Sequence, residues 1–270
     1  GTEKARERVF VATDSTRGPL REIAAAEGYA AFPLPRTLAG HASALAPAAL
    51  LAPAAAGVDV GRVLAGAAAA RPLLELRTFD NPAWLYAAGR TILARRGKRA
   101  EYFCPQEPDA EALARWWQQL FGGRAVLAWD GLLPAVARLP ADWQQMAALF
   151  ADGANPLMAT FLRFQPPAQK VPVEMDWKNF DNLNCLEGYT LDYLQDQALL
   201  GAIQAAADGG VPSLVMDCGP LAEETAGELL YFCELTSCLC AGMLGRDVYE
   251  AEAPAAWAAH MDRQLGRNAD

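Results

Sequence analysis

Histidine is nearly absent, with two residues in a chain of 270. His41 lies in LAGHAS and His260 in AAWAAHMD, so neither a Ser-His-Asp nor a Cys-His arrangement can be drawn from spacing. No HxxxH, HxH or paired-cysteine motif is present, which leaves a zinc site without support. GxGxxG and GxxxxGK[ST] runs are missing too, and with them a dinucleotide fingerprint and a nucleotide P-loop. No other cofactor is implied. Basic runs interleaved with aromatics do not occur, and 23 Lys and Arg stand against 32 Asp and Glu, for a net charge of −9. That balance opposes adhesion to nucleic acid or to an acidic membrane surface. A membrane span is not expected, because Pro47, Pro53, Gly57, Asp59 and Arg62 interrupt the alanine-rich stretch 42–70. The opening GTEKARER is charged, is followed by no apolar signal core and lacks Met, so it reads as the start of a processed product or a fragment. Six cysteines occur. Cys238 and Cys240 are one residue apart in an apolar helical run, which suits neither a zinc knuckle nor a redox pair. Reduced, mostly buried thiols and a cytoplasmic location are the expectation.

What is present is apolar bulk: 53% hydrophobic and 20% charged residues, enough to bury a sizeable core. VFVAT at 9–13, a helical pattern at Leu20, Ile23 and Ala24, and YAAFPLP at 29–35 give a compact strand–helix–strand unit. Residues 44–70 read as two helices broken at Ala56-Gly57, and Asn81-Pro82 opens a further helix with Trp84, Leu85 and Ala88 on one face. RAEYFC at 99–104, LMATFLRF at 157–164 and SLVMDC at 213–218 read as strands. Helices are expected after Asp109, from Thr190 to Ala207, and from Leu221 to Leu244, the last with Gly227 and Gly242 inside it. The alternation predicts an α/β fold, a parallel sheet with helices on both faces.

The stretch PADWQQMAALFADG at 140–153 reads locally as a helix. Asp142 is the expected N-cap, Ala147, Leu149 and Phe150 the buried stripe, and Asp152-Gly153 the end. Asp217, Glu223, Glu224 and Glu228 read as sheet-edge and helix-face carboxylates. Asp208-Gly209-Gly210 is a C-cap turn whose amides could also face an anion.

Taken in order, VFVATDSTRGPLREIAAAEGYAAFPLP, LAGHASALAPAALLAPAAAGVDV, NPAWLYAAGRTIL and RWWQQLFG resemble bacterial-type glucose-6-phosphate isomerases. LEGYTLDYLQDQALLGAIQAAADGGVPSLVMDCGPLAEETAGELLYFCELTSCLCAGMLGRDVY continues the match. The resemblance implies two sugar-isomerase (SIS) domains, each a three-layer parallel sheet flanked by helices. Residues 1–70 would hold the end of the first and its connecting helices. Residues 71–270 would hold the second, with a C-terminal helical tail. The family's first half, with its Ser/Thr-rich phosphate loop, has no counterpart here.

The resemblance also implies where isomerase chemistry would sit. The family's Glu, His and Lys fall on Gly123, Gln144 and Ala258, the Arg of its Gly-Gly-Arg stretch on His41, and a second His on Ala206. A primary amide does not exchange a proton usefully near neutral pH. The expected role is therefore a degenerate isomerase that binds a sugar phosphate or serves assembly, as a homodimer or with a first-half SIS chain. The alternative is an active isomerase completed by a first half upstream or on another chain. His41, Ser43, Arg124, Asp142, Gln144, Asp208, Gly209, Gly210 and His260 are the candidate pocket. Trp129, Trp143 and Trp257 are candidates for filling it, or for plain core packing.

Overall fold

A computed structural model describes residues 2–34, 43–125, 131–151, 156–246 and 256–266. Helix α1 (Thr2–Arg6) leads into β1 (Phe10–Asp14), α2 (Pro19–Glu27) and β2 (Ala30–Leu34). The two strands pair in parallel, Phe10 opposite Ala30 through Asp14 opposite Leu34, and no third strand joins them among the described residues. Gly28 ends α2 at φ 71°, a left-handed position that suits glycine.

Three helices follow, α3 (Pro47–Ala55), α4 (Val60–Leu74) and α5 (Pro82–Arg95). The break at Ala56-Gly57 falls where expected. Asn81 caps α5 by accepting from the Ala83 amide at 2.9 Å, with Pro82 in the first turn. The second sheet is built from β3 (Ala100–Pro105), β4 (Leu133–Val136), β5 (Leu157–Gln165) and β6 (Ser213–Pro220), ordered β4-β3-β5-β6 and parallel throughout. Strands β3 and β5 are central and mostly buried, as a sheet covered on both faces requires.

The alternation of side chains divides the core. Tyr102, Cys104 and Phe161 face Phe150 of α7 (Trp143–Ala151) and Leu199 and Ala202 of α8 (Leu191–Asp208). Phe103, Leu162 and Phe164 face α5, α6 (Glu111–Ala125) and α9 (Glu223–Met243), with Tyr86, Trp117, Phe121 and Phe232 packed among them. This is the three-layer α/β architecture expected from the alternation. Helix α4 lies against α9, where Gly66 faces the Glu224 carbonyl and Gly227 faces the Val63 carbonyl. A Cβ at these positions would sit 2.0 and 1.8 Å from those oxygens. Arg62 adds ion pairs to Glu223 at 3.0 Å and Glu224 at 2.6 Å. Helix α10 (Ala256–Gln264) completes the order.

Two amphipathic faces differ from expectation. On α5 the buried residues are Ala83, Tyr86, Ala87, Arg90, Thr91 and Ala94, while Leu85 is 51% exposed. The face turns because Arg90 goes inward to Glu101, a charge that no hydropathy pattern would bury. On α7 the buried residues are Met146 and Phe150, and Leu149 is exposed. Asp152-Gly153 lies outside the described residues. No helix among the described residues is long and apolar enough to cross a membrane. Cys104, Cys233 and Cys240 are buried, Cys218 and Cys238 half-buried, and Cys185 is exposed.

Candidate functional site

The candidate residues read from sequence do not converge. Asp142 does not cap α7 with its side chain. Its carboxylate turns back to Arg138, accepting from the backbone amide at 2.8 Å, Nε at 3.1 Å and Nη2 at 3.0 Å. Those hydrogen bonds hold the Asp142 carboxyl below the usual carboxylate range, so it is a committed anion and not a proton carrier. Gln144 is exposed in the first turn of α7, at the end of the sheet where the strands finish. Gly123 sits near the end of α6, which runs back toward the start of β4 and so lies toward the other end of the sheet. One chain therefore does not bring Gly123 and Gln144 together.

Asp208, Gly209 and Gly210 are at that far end too, after the 18 residues of α8, a length of about 27 Å. Their amides are not available to an anion. Gly209 donates to the Ala205 carbonyl and Gly210 to that of Ala207, both at 3.0 Å, and Asp208 accepts from Gln204 at 2.8 Å. Ser43 stands beside α9, where the neighbouring Ala44 amide donates to Glu234 at 2.9 Å. His260 is exposed on α10, with Nδ1 3.1 Å from Arg263 Nη2, and Ala258 is half-buried on the same helix. His41, Trp129 and the side chains of Arg124 and Trp257 lie outside the described residues. Trp143 packs on Phe150 at 5.4 Å between centroids. It also lines a small cavity of 310 Å³ with Gln106, Pro140, Gln195 and Leu199, so core packing is the better account of it.

The topology itself marks a different place. From β3 the chain passes through α6 on one face to β4, on one side. From β5 it passes through α8 on the other face to β6, on the opposite side. The connections diverge between the carboxyl ends of β3 and β5, and such a switch point opens a crevice where α/β proteins bind ligands. A cleft of 530 Å³ lies there, lined among others by Gln106, Arg163, Gln165, Tyr193, Asp196 and Asp217.

Each wall has a local cause. Gln106 directly follows β3 and is 4% exposed. Its backbone amide donates to Leu162 at 3.0 Å, its Oε1 accepts from the Phe164 amide at 3.3 Å, and its carbonyl accepts from Gln195 Nε2 at 2.6 Å. Arg163, at the end of β5, donates to Asp217 of β6 at 2.6 Å. Asp192 and Tyr193 come from the first turn of α8. Asp192 accepts from Lys170 at 2.5 Å, which holds its carboxyl below the usual range. Tyr193 stacks on Tyr189 at 5.1 Å, and the preceding loop is braced by Asn184, which bonds the Asp176 amide at 3.0 Å and carbonyl at 2.8 Å. Burial pushes the Cys218 thiol up to about 12, with Asp217 and Glu228 adding to it, so it stays protonated near neutral pH and is no nucleophile. Among the described residues no group of three or more His, Cys, Asp and Glu side chains is placed to hold a metal ion.

Of these cleft residues the sequence singles out Asp217 alone, and only as a sheet-edge carboxylate. The available signal was positional: each stands at the carboxyl end of a strand, in FCPQ, LRFQP or MDCG, or at the start of the following helix.

No family model matches the chain. Among curated proteins it is 33% identical over 268 residues to the glucose-6-phosphate isomerase of Bacillus cytotoxicus, covering 99% of this chain and 60% of that protein. It is 35% identical over 270 residues to that of Clostridium novyi, with the same coverage. The chain thus spans about three fifths of the length of the curated relatives it matches. Among solved structures, a hypothetical protein of Thermus thermophilus superposes with TM-score 0.89 at 21% identity, over 98% of this chain and 64% of that one. A glucose-6-phosphate isomerase from Chlamydia trachomatis gives TM-score 0.73 at 16% identity, over 98% and 56%. These two show the fold. By sequence the chain is similar to glucose-6-phosphate isomerases, consistent with a C-terminal portion of them.

Proposed function

We propose that the chain is a non-catalytic part of an aldose–ketose sugar-phosphate isomerase fold, kept for binding or assembly. The observation that carries this reading is the trio Gly123, Gln144 and Ala258, at the positions where the resemblance places Glu, His and Lys. A glycine, an amide and a methyl group cannot relay a proton between two sugar carbons. Asp142 supports the reading, because Arg138 already holds it as a paired anion. Residues 1–70 would then be the end of a first SIS domain with connecting helices, and residues 71–270 a second SIS domain with its helical tail. The open two-stranded β1–β2 sheet fits association with a first-half SIS chain or a homodimer, in the cytoplasm, with a hexose phosphate held at a site that the partner completes.

A second reading, an active isomerase of glycolysis and gluconeogenesis, is favoured by the 60% coverage of the relatives, since a missing first half could supply the phosphate loop. A coupled assay for fructose 6-phosphate to glucose 6-phosphate conversion separates the two. The chain is tested alone, with verified mass and fold, and again with a family first half added. No turnover above background is expected in either case, and turnover in either overturns the non-catalytic reading.

A further inference from the structure

We propose that the groove along the free edge of β6 is a docking site for an extended polypeptide segment, which joins the sheet beside β6 and carries a basic side chain.

Strand β6 is the last in the order β4-β3-β5-β6, so one of its edges has no neighbouring strand among the described residues. The register fixes which main-chain groups face that way. Phe161 lies opposite Val215 and Arg163 opposite Asp217, and the Ala159 amide donates to the Pro212 carbonyl at 3.0 Å. In a parallel ladder successive residues turn their N–H and C=O to alternate sides. Leu214 and Met216 therefore turn theirs to β5, and Val215 and Asp217 turn theirs outward. Main-chain groups that point off a sheet edge are a template for another strand.

A groove of 650 Å³ follows this edge, and residues 214–219 all line it. Successive side chains of a strand point to opposite faces, so only a groove along the edge meets all six. They span about 20 Å of extended chain. The facing wall is apolar, with Leu73 of α4, Leu85 of α5, and Leu229 and Phe232 of α9. Leu73, Leu85 and Val215 are 46%, 51% and 42% exposed. A segment laid there covers apolar side chains and satisfies the outward main-chain groups in one step.

Charge decides what that segment carries. The charged side chains lining the groove are Asp217 and Glu228, both acidic. Asp217 is held by Arg163 at 2.6 Å. Glu228 is exposed and makes no hydrogen bond or ion pair among the described residues. A second copy pairing its own β6 here would set these carboxylates against their own kind, in a chain of net charge −9. A segment with Lys or Arg at that point meets Glu228 instead.

The inference does not depend on whether the chain isomerises a hexose phosphate. Its test is NMR hydrogen exchange on the whole chain, titrated with a nonapeptide of alternating valine and threonine. The peptide carries one arginine, at the first position in one version and at the last in another. One version is expected to bind saturably with a Kd below about 1 mM. At ten times that Kd the Val215 and Asp217 amides should exchange about tenfold more slowly, with Leu214 and Met216 unchanged. Methylating every amide of the peptide should abolish binding, and glutamate in place of its arginine should weaken it at least about fivefold. Glu228→Arg, on an exposed helix face, should reverse that preference. Val215→Pro removes an N–H that the ladder to β5 does not use and should block binding. Should Val215→Pro fail to fold, Glu228→Arg carries the test. Absence of saturable binding overturns the proposal, as does binding that leaves Val215 and Asp217 unprotected or survives full methylation. Slow exchange at both amides in the free chain, with a dimer mass in sedimentation, gives the edge to a second copy and overturns it too.

Discussion

Arg90 and Glu101 form an ion pair inside the protein, Nε to Oε2 at 2.5 Å, with side chains 4% and 0% exposed. Tyr86 donates to the other carboxylate oxygen at 2.5 Å and Thr160 at 2.6 Å, and the Arg90 guanidinium lies 4.2 Å from the Phe121 ring centroid. Burial works most strongly against the charge on Arg90, but Glu101, Cys240 and Tyr86 together outweigh it, so the guanidinium titrates above its ordinary value. The pair ties α5 to the two central strands. Glu101→Gln or Arg90→Met should each cost about 3–5 kcal/mol by leaving one buried charge alone. Replacing both together should recover part of that loss but not all of it, because Tyr86 and Thr160 then donate to a neutral amide oxygen instead of a carboxylate. Denaturant unfolding of the singles and the double checks this.

The contact between α4 and α9 rests on two missing side chains. Gly66→Ala and Gly227→Ala should each destabilise by about 1–3 kcal/mol, since the new methyl overlaps a carbonyl oxygen. Gly242→Ala, in the same helix α9 but with nothing within 4 Å, is the control. It should be neutral or stabilise by about 0.5–1 kcal/mol through helix propensity. Thermal melts of the three variants would show the contrast.

Much of this fold can be read from the chain, and the exceptions have physical causes. Strand, helix and strand at 10–34 follow from β-branched and aromatic runs around Gly18 and Gly28, and α5 from Asn81-Pro82. Strand β4 escaped notice: four residues at the sheet edge, one of them Pro134, carry little propensity and are ordered by pairing with β3. The buried face of α5 escaped as well, because Arg90 is interior only by virtue of Glu101. The cleft was invisible for another reason. Gln106, Arg163, Tyr193 and Asp217 meet only once four parallel strands take the order β4-β3-β5-β6. Asp208-Gly209-Gly210 is the C-cap turn read from sequence, and its amides are spent on closing α8 instead of facing an anion.

Asp142 gives a pH signature. Hydrogen bonding to Arg138 depresses its folded-state pKa from 3.8, so its contribution is present above the unfolded value and lost as pH falls through the folded one. The stability gap between wild type and Asp142→Asn should therefore be present at pH 7 and shrink below about pH 4. Its size should not exceed about 1 kcal/mol, because the Arg138 side chain is 45% exposed. Paired unfolding curves at pH 7 and pH 3 measure it.

The thiols should separate by access. Cys185 is exposed and should react first with an alkylating reagent. Cys104 and Cys233 are buried, and burial pushes their thiols well up, so they should resist until the chain unfolds. Timed alkylation read by peptide mass spectrometry would rank them, and early modification of Cys104 would contradict the buried β3.

The reciprocal glycines of α4 and α9 have a bearing on which second-site changes can repair a damaged contact. At Gly66 and Gly227 the atom in the way is a main-chain oxygen, of Glu224 in one case and Val63 in the other. Trimming a neighbouring side chain cannot clear a carbonyl, so no single compensating replacement in the facing helix restores the fit. Suppressors of either substitution would have to move a whole helix axis.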